Sequence, residues 1–254
     1  MSGALRNLLR RLPLARTAWR IVRPMSPGER IERRDARLMA RVLARILDDD
    51  SNGVDVGAHA GDVLAIMRGL SPDGSHYAFE PIPRLEAALR ARFPDVIVRR
   101  VAVSDVSGET DFHWFPGVPG FSGLARRTDV DARQPVEVLR VRTEPLDALV
   151  PDFIRVHVLK IDVEGAELQV LRGAARILSR DRPWVLFEHG SASAFYGATT
   201  ADVFREFDRH GLAVWRPDRW LDGAAPFDET SFSAAVASGE WWNFLAGPRP
   251  PASA

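Results

Sequence analysis

Apolar and polar positions alternate along this chain in a pattern that predicts short buried strands separated by amphipathic helices. A helix is predicted over residues 29–50, where apolar residues recur at helical spacing before the turn "DDDSNG". The elements that follow are a strand entering a glycine-bearing turn in "VDVGAHAGD", a helix in "VLAIMRGL", a strand in "HYAFEP", a helix in "RLEAALRARF" and a strand in "VIVRRVAVSD".

The pattern changes after residue 105. Two strands are predicted in "ETDFHWF" and "VEVLRVRT", and the loop between them, residues 116–135, has the length of a functional lid or a disordered segment. The alternation then resumes with "HVLKID", "AELQVLRGAARIL", "PWVLFEH", "TTADVFREFDRHG" and two closing strands, "LAVWRP" and "WWNFLAGP". This order predicts an open α/β sheet with helices on both faces.

The composition fits a globular protein with one large domain. Of the 254 residues, 46% are hydrophobic and 27% are charged. The absence of cysteine excludes disulfides, thiolate metal sites and cysteine nucleophiles. The formal net charge of zero gives no support to nucleic-acid binding. No stretch approaches the ~20 apolar residues that cross a bilayer, so a cytoplasmic location is predicted.

The N-terminal segment is basic. Residues 1–28 contain six arginines and no acidic residue, and their leucines can share one helical face. We therefore predict a helical extension over residues 1–45 that packs on its own domain, contacts a second copy, or lies on a membrane surface. Residues 46–248 then form the main domain, and residues 249–254 form a disordered tail.

Nearly every predicted strand ends in an acidic residue. Ligands of open α/β sheets bind outside the carboxyl ends of the strands. Because buried carboxylates cost free energy unless they are paired or bound, these positions predict a cationic or hydroxyl-rich ligand. The residues at the strand ends are Asp55, Glu80, Ser104, Asp105, Asp162, Glu164, Glu188 and His189.

The first strand-to-helix turn distinguishes between nucleotide cofactors. NAD-binding turns read G-x-G-x-x-G and hold a pyrophosphate, whereas Gly57 and Gly61 form G-x-x-x-G after Asp55. A carboxylate at this position repels pyrophosphate but suits an ammonium group. Glu80 follows at about the ~20-residue spacing of the acid that binds ribose hydroxyls. The turn therefore favours S-adenosylmethionine, an adenosine with an amino-acid tail and no phosphate.

Five segments together resemble the FkbM-type methyltransferases, a branch of the class I S-adenosylmethionine-dependent enzymes. They are "VDVGAHAGD", "YAFEPIP", "VAVSDVSGE", "LKIDVEGAELQVLRGA" and "WVLFEH", and the resemblance extends from about Asn52 to His189. It implies a Rossmann-like fold with a mostly parallel seven-stranded sheet, and methylation of a hydroxyl on a natural product, sugar or glycan. The family's usual Asn in the first turn is His59 here, which puts the polar contact beside the methionine tail in doubt.

The resemblance also implies roles for individual residues. The first turn shapes the methionine end of the cofactor, Glu80 binds both ribose hydroxyls, Ser104 and Asp105 lie near the adenine, and Asp162 lies beside the methyl group. The implied cofactor-binding residues are Asp55, Gly57, Ala58, His59, Gly61, Glu80, Pro81, Ser104, Asp105 and Asp162.

Methyl transfer to a hydroxyl requires that the oxygen is aligned and loses its proton. The candidate bases are Asp162, Glu164, Glu188 and His189. Two arrangements stay open: His189 acts as the base, or Asp162, Glu188 and His189 hold one Mg²⁺.

We predict a separate role for each of three further residues of the motif "LKIDVEGAE". Glu164 either points into the site or caps the following helix. Glu167 is expected to be an ordinary acid in the first helical turn, stabilised by the helix dipole. Lys160 is the only lysine in the chain. We expect it to contribute to catalysis by reaching a carboxylate or carbonyl within the site, where arginine would be too wide.

Two other classes of protein compete with this interpretation. An NAD-dependent oxidoreductase or epimerase can share the architecture, but the missing G-x-G-x-x-G argues against it. A non-catalytic binding module would use the basic N-terminus on a membrane or partner, but the acids at the strand ends argue against a degenerate site.

Overall fold

The computed structural model describes residues 27–250, and the side chains from residue 33 onward. The chain divides into two units, residues 1–37 and 38–254. Helix α1 (Pro27–Ile46) confirms the first predicted helix. Residues 1–26 and 251–254 lie outside the described residues, so the basic extension, its boundary and the disordered tail stay predictions. No helix of the described part is long and apolar enough to cross a membrane.

The central sheet confirms the predicted α/β class. Its order is β3-β2-β1-β7-β8-β10-β9, and every strand is parallel to its neighbours except β10, which is antiparallel to both β8 and β9. This is the Rossmann-like class I fold. Numbered along the chain, its strands are β1 (Gly53–Val56), β2 (His76–Phe79), β3 (Ile97–Arg99), β7 (Val158–Ile161), β8 (Trp184–Glu188), β9 (Leu212–Trp215) and β10 (Asn243–Pro248).

Three strands form a separate small sheet in the order β4-β6-β5. They are β4 (Ala102–Val103), β5 (Gly108–Trp114) and β6 (Glu137–Glu144). The single strand predicted in "VIVRRVAVSD" is therefore wrong, because the segment contributes β3 to one sheet and β4 to the other. Exposed and buried residues alternate in 97–99, whereas residues 101–104 are all buried. This difference marks where the chain passes from the central sheet to the small sheet.

Helices cover both faces of the central sheet. One face packs Val56, Ile161 and Phe187 against the helices that follow β7 and β8, and the other packs Val158 and Leu186 against α1 and the helices that follow β1 and β2. The helices after α1 are α2 (Asp62–Leu70), α3 (Pro83–Arg92), α4 (Leu146–Leu149), α5 (Glu167–Gly173), α6 (Ala175–Asp181), α7 (Thr200–Arg209), α8 (Pro217–Leu221) and α9 (Glu229–Ala237).

The helix predicted as continuous in "AELQVLRGAARIL" is two helices, α5 and α6. The Asp147 carboxylate accepts hydrogen bonds from the backbone N–H groups of Arg176 (2.7 Å) and Ile177 (3.1 Å), which caps α6 and starts a new helix. Gly173 is the last residue of α5, and only glycine fits there because a β-carbon would collide with the carbonyl oxygen of Ser104. The break is thus set by contacts with distant segments.

Candidate active site

A cavity of about 270 Å³ lies at the carboxyl ends of β1, β2 and β7. This first cavity has an apolar wall from β2, β4 and β5, and polar groups from the turns after β1, β2 and β7. Its lining residues are Val56, Gly57, His59, Phe79, Glu80, Pro81, Ile82, Val101, Ala102, Val103, Phe112, Pro119, Gly120, Ser122, Leu124, Asp162, Val163, Glu164 and Ala166.

The turn after β1 is shaped by close backbone approach. Gly57 has a φ of 75°, and a β-carbon there would collide with the carbonyl oxygen of Asp162. His59 has a φ of 46°, a left-handed conformation that histidine and asparagine adopt more readily than most residues. His59 therefore fits the backbone conformation of the turn, where the family usually has Asn.

Glu80 closes this turn from the end of β2. Its Oε2 accepts a hydrogen bond from the His59 N–H and its Oε1 accepts one from the Ile82 N–H, both at 2.9 Å. Burial raises the pKa of Glu80 to about 6, although both backbone hydrogen bonds lower it. Each carboxylate oxygen keeps acceptor capacity for a further donor, which is what two ribose hydroxyls require.

Lys160 ties the ends of β1 and β7 together. Its Nζ donates a hydrogen bond to the Gly57 carbonyl at 2.8 Å, and lies 3.3 Å from Asp55 Oδ1 and 3.2 Å from Asp162 Oδ2. The expected contacts with a carbonyl and a carboxylate are confirmed. Burial by itself lowers the pKa of Lys160, but the charges of Asp162 and Asp55 outweigh it, so that pKa is raised. Burial raises the pKa of Asp55, and Lys160 offsets part of that shift.

Replacing Lys160 by Met should lower the free energy of unfolding by about 3–5 kcal/mol, because the buried Asp55 carboxylate loses its counter-charge. Urea denaturation of the ligand-free protein measures this loss. The double variant Lys160→Met/Asp55→Asn should recover much of it, and Lys160→Arg, which keeps the charge, should lose far less. A cost below about 1 kcal/mol for Lys160→Met would show that Asp55 does not depend on this ammonium.

A second cavity, of about 170 Å³, adjoins the first. The two cavities share Gly120 and Glu164 in their linings. The second cavity is more polar, since four of its lining residues are charged: Arg127, Glu164, Glu167 and Glu188. The other lining residues are Gly120, Phe121, Gly165, His189, Gly190, Ser191, Ala192 and Trp242. A ligand in the first cavity therefore has a neighbouring space for a second molecule.

A carboxylate cluster, defined as Asp162, Glu164 and Glu188, lies where the two cavities meet. Each residue places one oxygen within 4.8 Å of the others. Glu164 has a left-handed φ of 56°, which belongs to the turn after β7. The pKa of Glu164 is raised to about 9, mainly by burial and also by the charges of Asp162, Glu188 and Glu167, against the opposing effect of Arg127. Glu164 thus lies in the site and does not cap α5.

His189 is not part of this cluster, which corrects the predicted set of Asp162, Glu188 and His189. Its side chain is fully buried. Nε2 lies 3.2 Å from Thr200 Oγ1, and Nδ1 lies 3.5 Å from Glu167 Oε2. The ring is held between α7 and α5, and Glu164 takes the place that the sequence suggested for His189.

Glu167 is buried, which corrects its expected role as an ordinary first-turn acid. It is 1% exposed, and its Oε1 accepts a hydrogen bond from the Gly165 N–H at 2.9 Å. This bond fixes the turn that carries Glu164. The Glu167 side chain is therefore held by its contacts with the turn and with His189, and the helix dipole makes a smaller contribution to its stabilisation.

Five of the predicted cofactor residues do not line the first cavity. They are Asp55, Ala58, Gly61, Ser104 and Asp105. The Ser104 N–H donates to the Glu144 carbonyl, and its hydroxyl to Asp105 Oδ1 at 3.2 Å. Residues 101–103 line the first cavity next to Ser104 in the chain, so the adenine role of Ser104 and Asp105 gains no geometric support.

The long loop between β5 and β6 closes over both cavities. Residues Pro119–Phe121 form a 3₁₀ turn, and Ser122 Oγ accepts a hydrogen bond from the Phe115 N–H at 3.0 Å. Arg127 pairs with Asp129 and lies over the rings of Phe121 (4.7 Å) and Phe195 (5.2 Å). Sequence reasoning located the loop but missed Gly120 and Arg127 as lining residues.

The model of the family described as "Methyltransferase FkbM domain" matches residues 55–212, which include all the lining residues of the first cavity. The chain belongs to this family. The predicted resemblance to the FkbM methyltransferase family is therefore confirmed.

Two curated relatives show the extent of the likeness. The AMB antimetabolite synthetase AmbE of Pseudomonas aeruginosa is 29% identical, and the match covers 82% of this chain but 12% of AmbE. Methyltransferase 1 of Beauveria bassiana is 28% identical over 67% of this chain and 76% of that protein. This chain therefore corresponds to a small part of AmbE and to most of Methyltransferase 1.

A solved structure, the methyltransferase FkbM of Methylobacillus flagellatus KT, has 16% sequence identity and a TM-score of 0.49 to this chain. The match covers 79% of this chain and 44% of that one.

The residues of the first cavity fit S-adenosylmethionine. Gly57 brings the backbone against the cavity where a larger residue would collide with Asp162. Glu80 presents a carboxylate to a diol, and Val101, Ala102 and Val103 supply an apolar wall for a base. The donor and acceptor groups therefore suit a nucleoside without phosphates.

Proposed function

We propose that this FkbM methyltransferase transfers the methyl group to a hydroxyl of a natural product, sugar or glycan. The observation that carries the proposal is the second cavity, which meets the first at the carboxylate cluster. A hydroxyl needs hydrogen-bond acceptors and a proton acceptor, and carboxylates supply both. The described residues around this junction offer oxygens as the main polar atoms.

S-adenosylmethionine, when bound, supplies an activated methyl group that a nucleophile displaces in line. The chain aligns the nucleophile and removes its proton. Asp162 lines the first cavity, and Lys160 fixes the orientation of its carboxylate through the contact at 3.2 Å. We assign Asp162 to orient the hydroxyl, whose proton passes to the carboxylate cluster as the oxygen–methyl bond forms.

The loop between β5 and β6 contributes by excluding water. Pro119, Gly120 and Leu124 line the first cavity, and Arg127 lines the second. The stacking of Arg127 on Phe121 and Phe195 holds this cover in place. Exclusion of water strengthens the electrostatic interactions of the carboxylate cluster with a bound hydroxyl.

The competing NAD-dependent and non-catalytic functions have less support. The family assignment favours methyl transfer. The buried Lys160 pairs with Asp55, and the buried Glu80 accepts two backbone hydrogen bonds, and a degenerate binding module would have no reason to keep these charged groups. AmbE is an antimetabolite synthetase, which is consistent with a natural-product substrate here.

Incubation with S-adenosylmethionine carrying a ¹³C-methyl group and a panel of glycosides, glycans and hydroxylated natural products tests the proposal. We expect NMR and mass spectrometry to locate the label in a methyl ether. Label found on nitrogen or carbon of the accepted compound would contradict O-methylation, while leaving the methyltransferase assignment intact.

A further inference from the structure

We infer that Tyr196 is a positioning residue of the methyl-transfer site. It holds the long loop between β5 and β6 against the turn that follows β7, and it thereby fixes the junction of the two cavities. This inference deepens the proposed function and rests on it, because the methyl group would pass from donor to acceptor at that junction.

Tyr196 is the last residue of a short 3₁₀ segment, Ser191–Tyr196, that follows β8. Ser193, which is 5% exposed, fixes this segment. Its hydroxyl donates a hydrogen bond to the Gly190 carbonyl at 3.0 Å, and its carbonyl accepts one from the Ala198 N–H at 3.1 Å. The segment is therefore a firm support for the Tyr196 side chain.

On one side, the Tyr196 ring packs against the turn after β7. Gly165 in that turn has a φ of 110°, and a β-carbon there would lie 2.9 Å from Tyr196 Cε2 and 2.5 Å from the Ala192 carbonyl oxygen. Only glycine fits in this space. The preceding residue is Glu164 of the carboxylate cluster, so the ring borders the backbone that presents this acid.

On the other side, the Tyr196 hydroxyl holds the loop. It accepts a hydrogen bond from the Ala125 N–H at 3.0 Å. A β-carbon on Gly123 would lie 2.6 Å from the same hydroxyl oxygen. Gly123 also exchanges two backbone hydrogen bonds with His113 of β5, at 2.8 and 3.1 Å. The loop is thus attached to the small sheet and to Tyr196 at the same point.

The position of the loop determines the shape of both cavities. Gly120 lines both, and a β-carbon on it would lie 3.3 Å from Glu164 Oε1. Pro119 and Leu124 line the first cavity. If the contact with Tyr196 is lost, the loop can move away from the turn and open the first cavity, so a bound cofactor product should leave faster.

Stopped-flow measurement of S-adenosylhomocysteine dissociation from the full chain tests the inference. Tyr196→Phe removes only the hydroxyl, and a neutral hydrogen bond corresponds to about two- to tenfold in an equilibrium constant. We expect S-adenosylhomocysteine to dissociate about two- to tenfold faster from this variant. A role limited to stability would lower the midpoint of thermal unfolding and leave the dissociation rate unchanged.

The matched control is Tyr77→Phe, at the other of the two tyrosines in the chain. Tyr77 is 3% exposed on β2 and lines neither cavity. This variant should release S-adenosylhomocysteine at the wild-type rate.

A second substitution tests the hydroxyl contact from the side of the loop. Gly123→Ala places a β-carbon against the Tyr196 hydroxyl and should also speed dissociation. In the double variant Gly123→Ala/Tyr196→Phe the obstructing oxygen is gone, and the next-nearest atoms lie 3.8 Å from the new β-carbon, which is an ordinary contact. The double variant should therefore release S-adenosylhomocysteine more slowly than Gly123→Ala alone.

The outcomes separate the role of Tyr196 from the proposed function. Equal dissociation rates in the wild type, Tyr196→Phe and Gly123→Ala would overturn the positioning role and leave the cofactor site intact. A double variant that releases S-adenosylhomocysteine as fast as Gly123→Ala would overturn it equally. If the folded wild type does not bind S-adenosylhomocysteine, the proposed function fails, and the role of Tyr196 fails with it.

Discussion

Asp162→Asn should transfer methyl groups about 10²–10⁴-fold more slowly than the wild type, with little change in S-adenosylhomocysteine affinity. Asp162 ends β7 at the wall of the first cavity, and its carboxylate is 33% exposed and directed by Lys160. The amide keeps the shape of the side chain but removes the charge that orients and helps to deprotonate the hydroxyl. Initial rates with saturating donor and acceptor measure the effect.

The matched control for this variant is Asp111→Asn, which removes an exposed carboxylate on β5 that pairs with Arg140. It should keep the wild-type rate, because surface ion pairs contribute little to stability and this one is outside both cavities. A wild-type rate for Asp162→Asn would show that the reacting centre lies elsewhere.

Glu80→Ala should weaken S-adenosylhomocysteine binding by about 100-fold or more. Two hydrogen bonds from ribose hydroxyls to a charged acceptor are each worth about 1.5–3 kcal/mol, and both would be lost. The variant also removes the acceptor of the His59 and Ile82 N–H groups, so thermal unfolding must accompany the calorimetry. Glu80→Gln keeps the volume and one acceptor and should show a smaller loss. Unchanged affinity in both would remove Glu80 from the ribose role.

The pKa of Glu80 gives this prediction a pH signature. Because the folded-state pKa is raised from 4.5 to about 6, Glu80 takes up a proton in the ligand-free protein as the pH falls through 6. The protonated form has lost the charge that attracts two hydroxyl donors, so S-adenosylhomocysteine affinity should be full at pH 8 and about tenfold weaker at pH 5. Glu80→Gln should show no such dependence between these pH values.

The same shift affects the stability of the ligand-free protein in the opposite direction. A raised folded-state pKa means that the contribution of neutral Glu80 is fully present below pH 4.5 and is lost as the pH rises through about 6. Added S-adenosylhomocysteine should reduce this loss, since the bound ribose favours the ionised carboxylate.

The sequence was sufficient to predict those features that depend on local pattern. The strand within "HVLKID" is buried at every position because β7 lies at the centre of the sheet with helices on both faces. The acids that follow the strands could be expected to lie together, because parallel strands direct their carboxyl ends to one edge of the sheet. Lys160 was notable because it is the only lysine in the chain. Its contacts with Gly57, Asp55 and Asp162 give the physical reason for a lysine at this position.

Features set by distant contacts could not be predicted in this way. Glu167 has the position of an ordinary first-turn acid, and only the folded chain brings His189 and the Gly165 N–H to its two oxygens. His189 follows a strand as the other site residues do, but Thr200 and Glu167 hold its ring away from the carboxylate cluster. Likewise, the periodicity of "VIVRRVAVSD" is that of a strand throughout, and it contains no sign that the chain changes sheets.

The first cavity should be an S-adenosylmethionine site built around Glu80. Calorimetric titration of the full chain with S-adenosylhomocysteine tests this directly. We expect saturable binding of one S-adenosylhomocysteine per chain, loss of that binding in Glu80→Ala, and no binding of NADH under the same conditions. Absence of S-adenosylhomocysteine binding at millimolar concentration, with the protein shown to be folded, would contradict it.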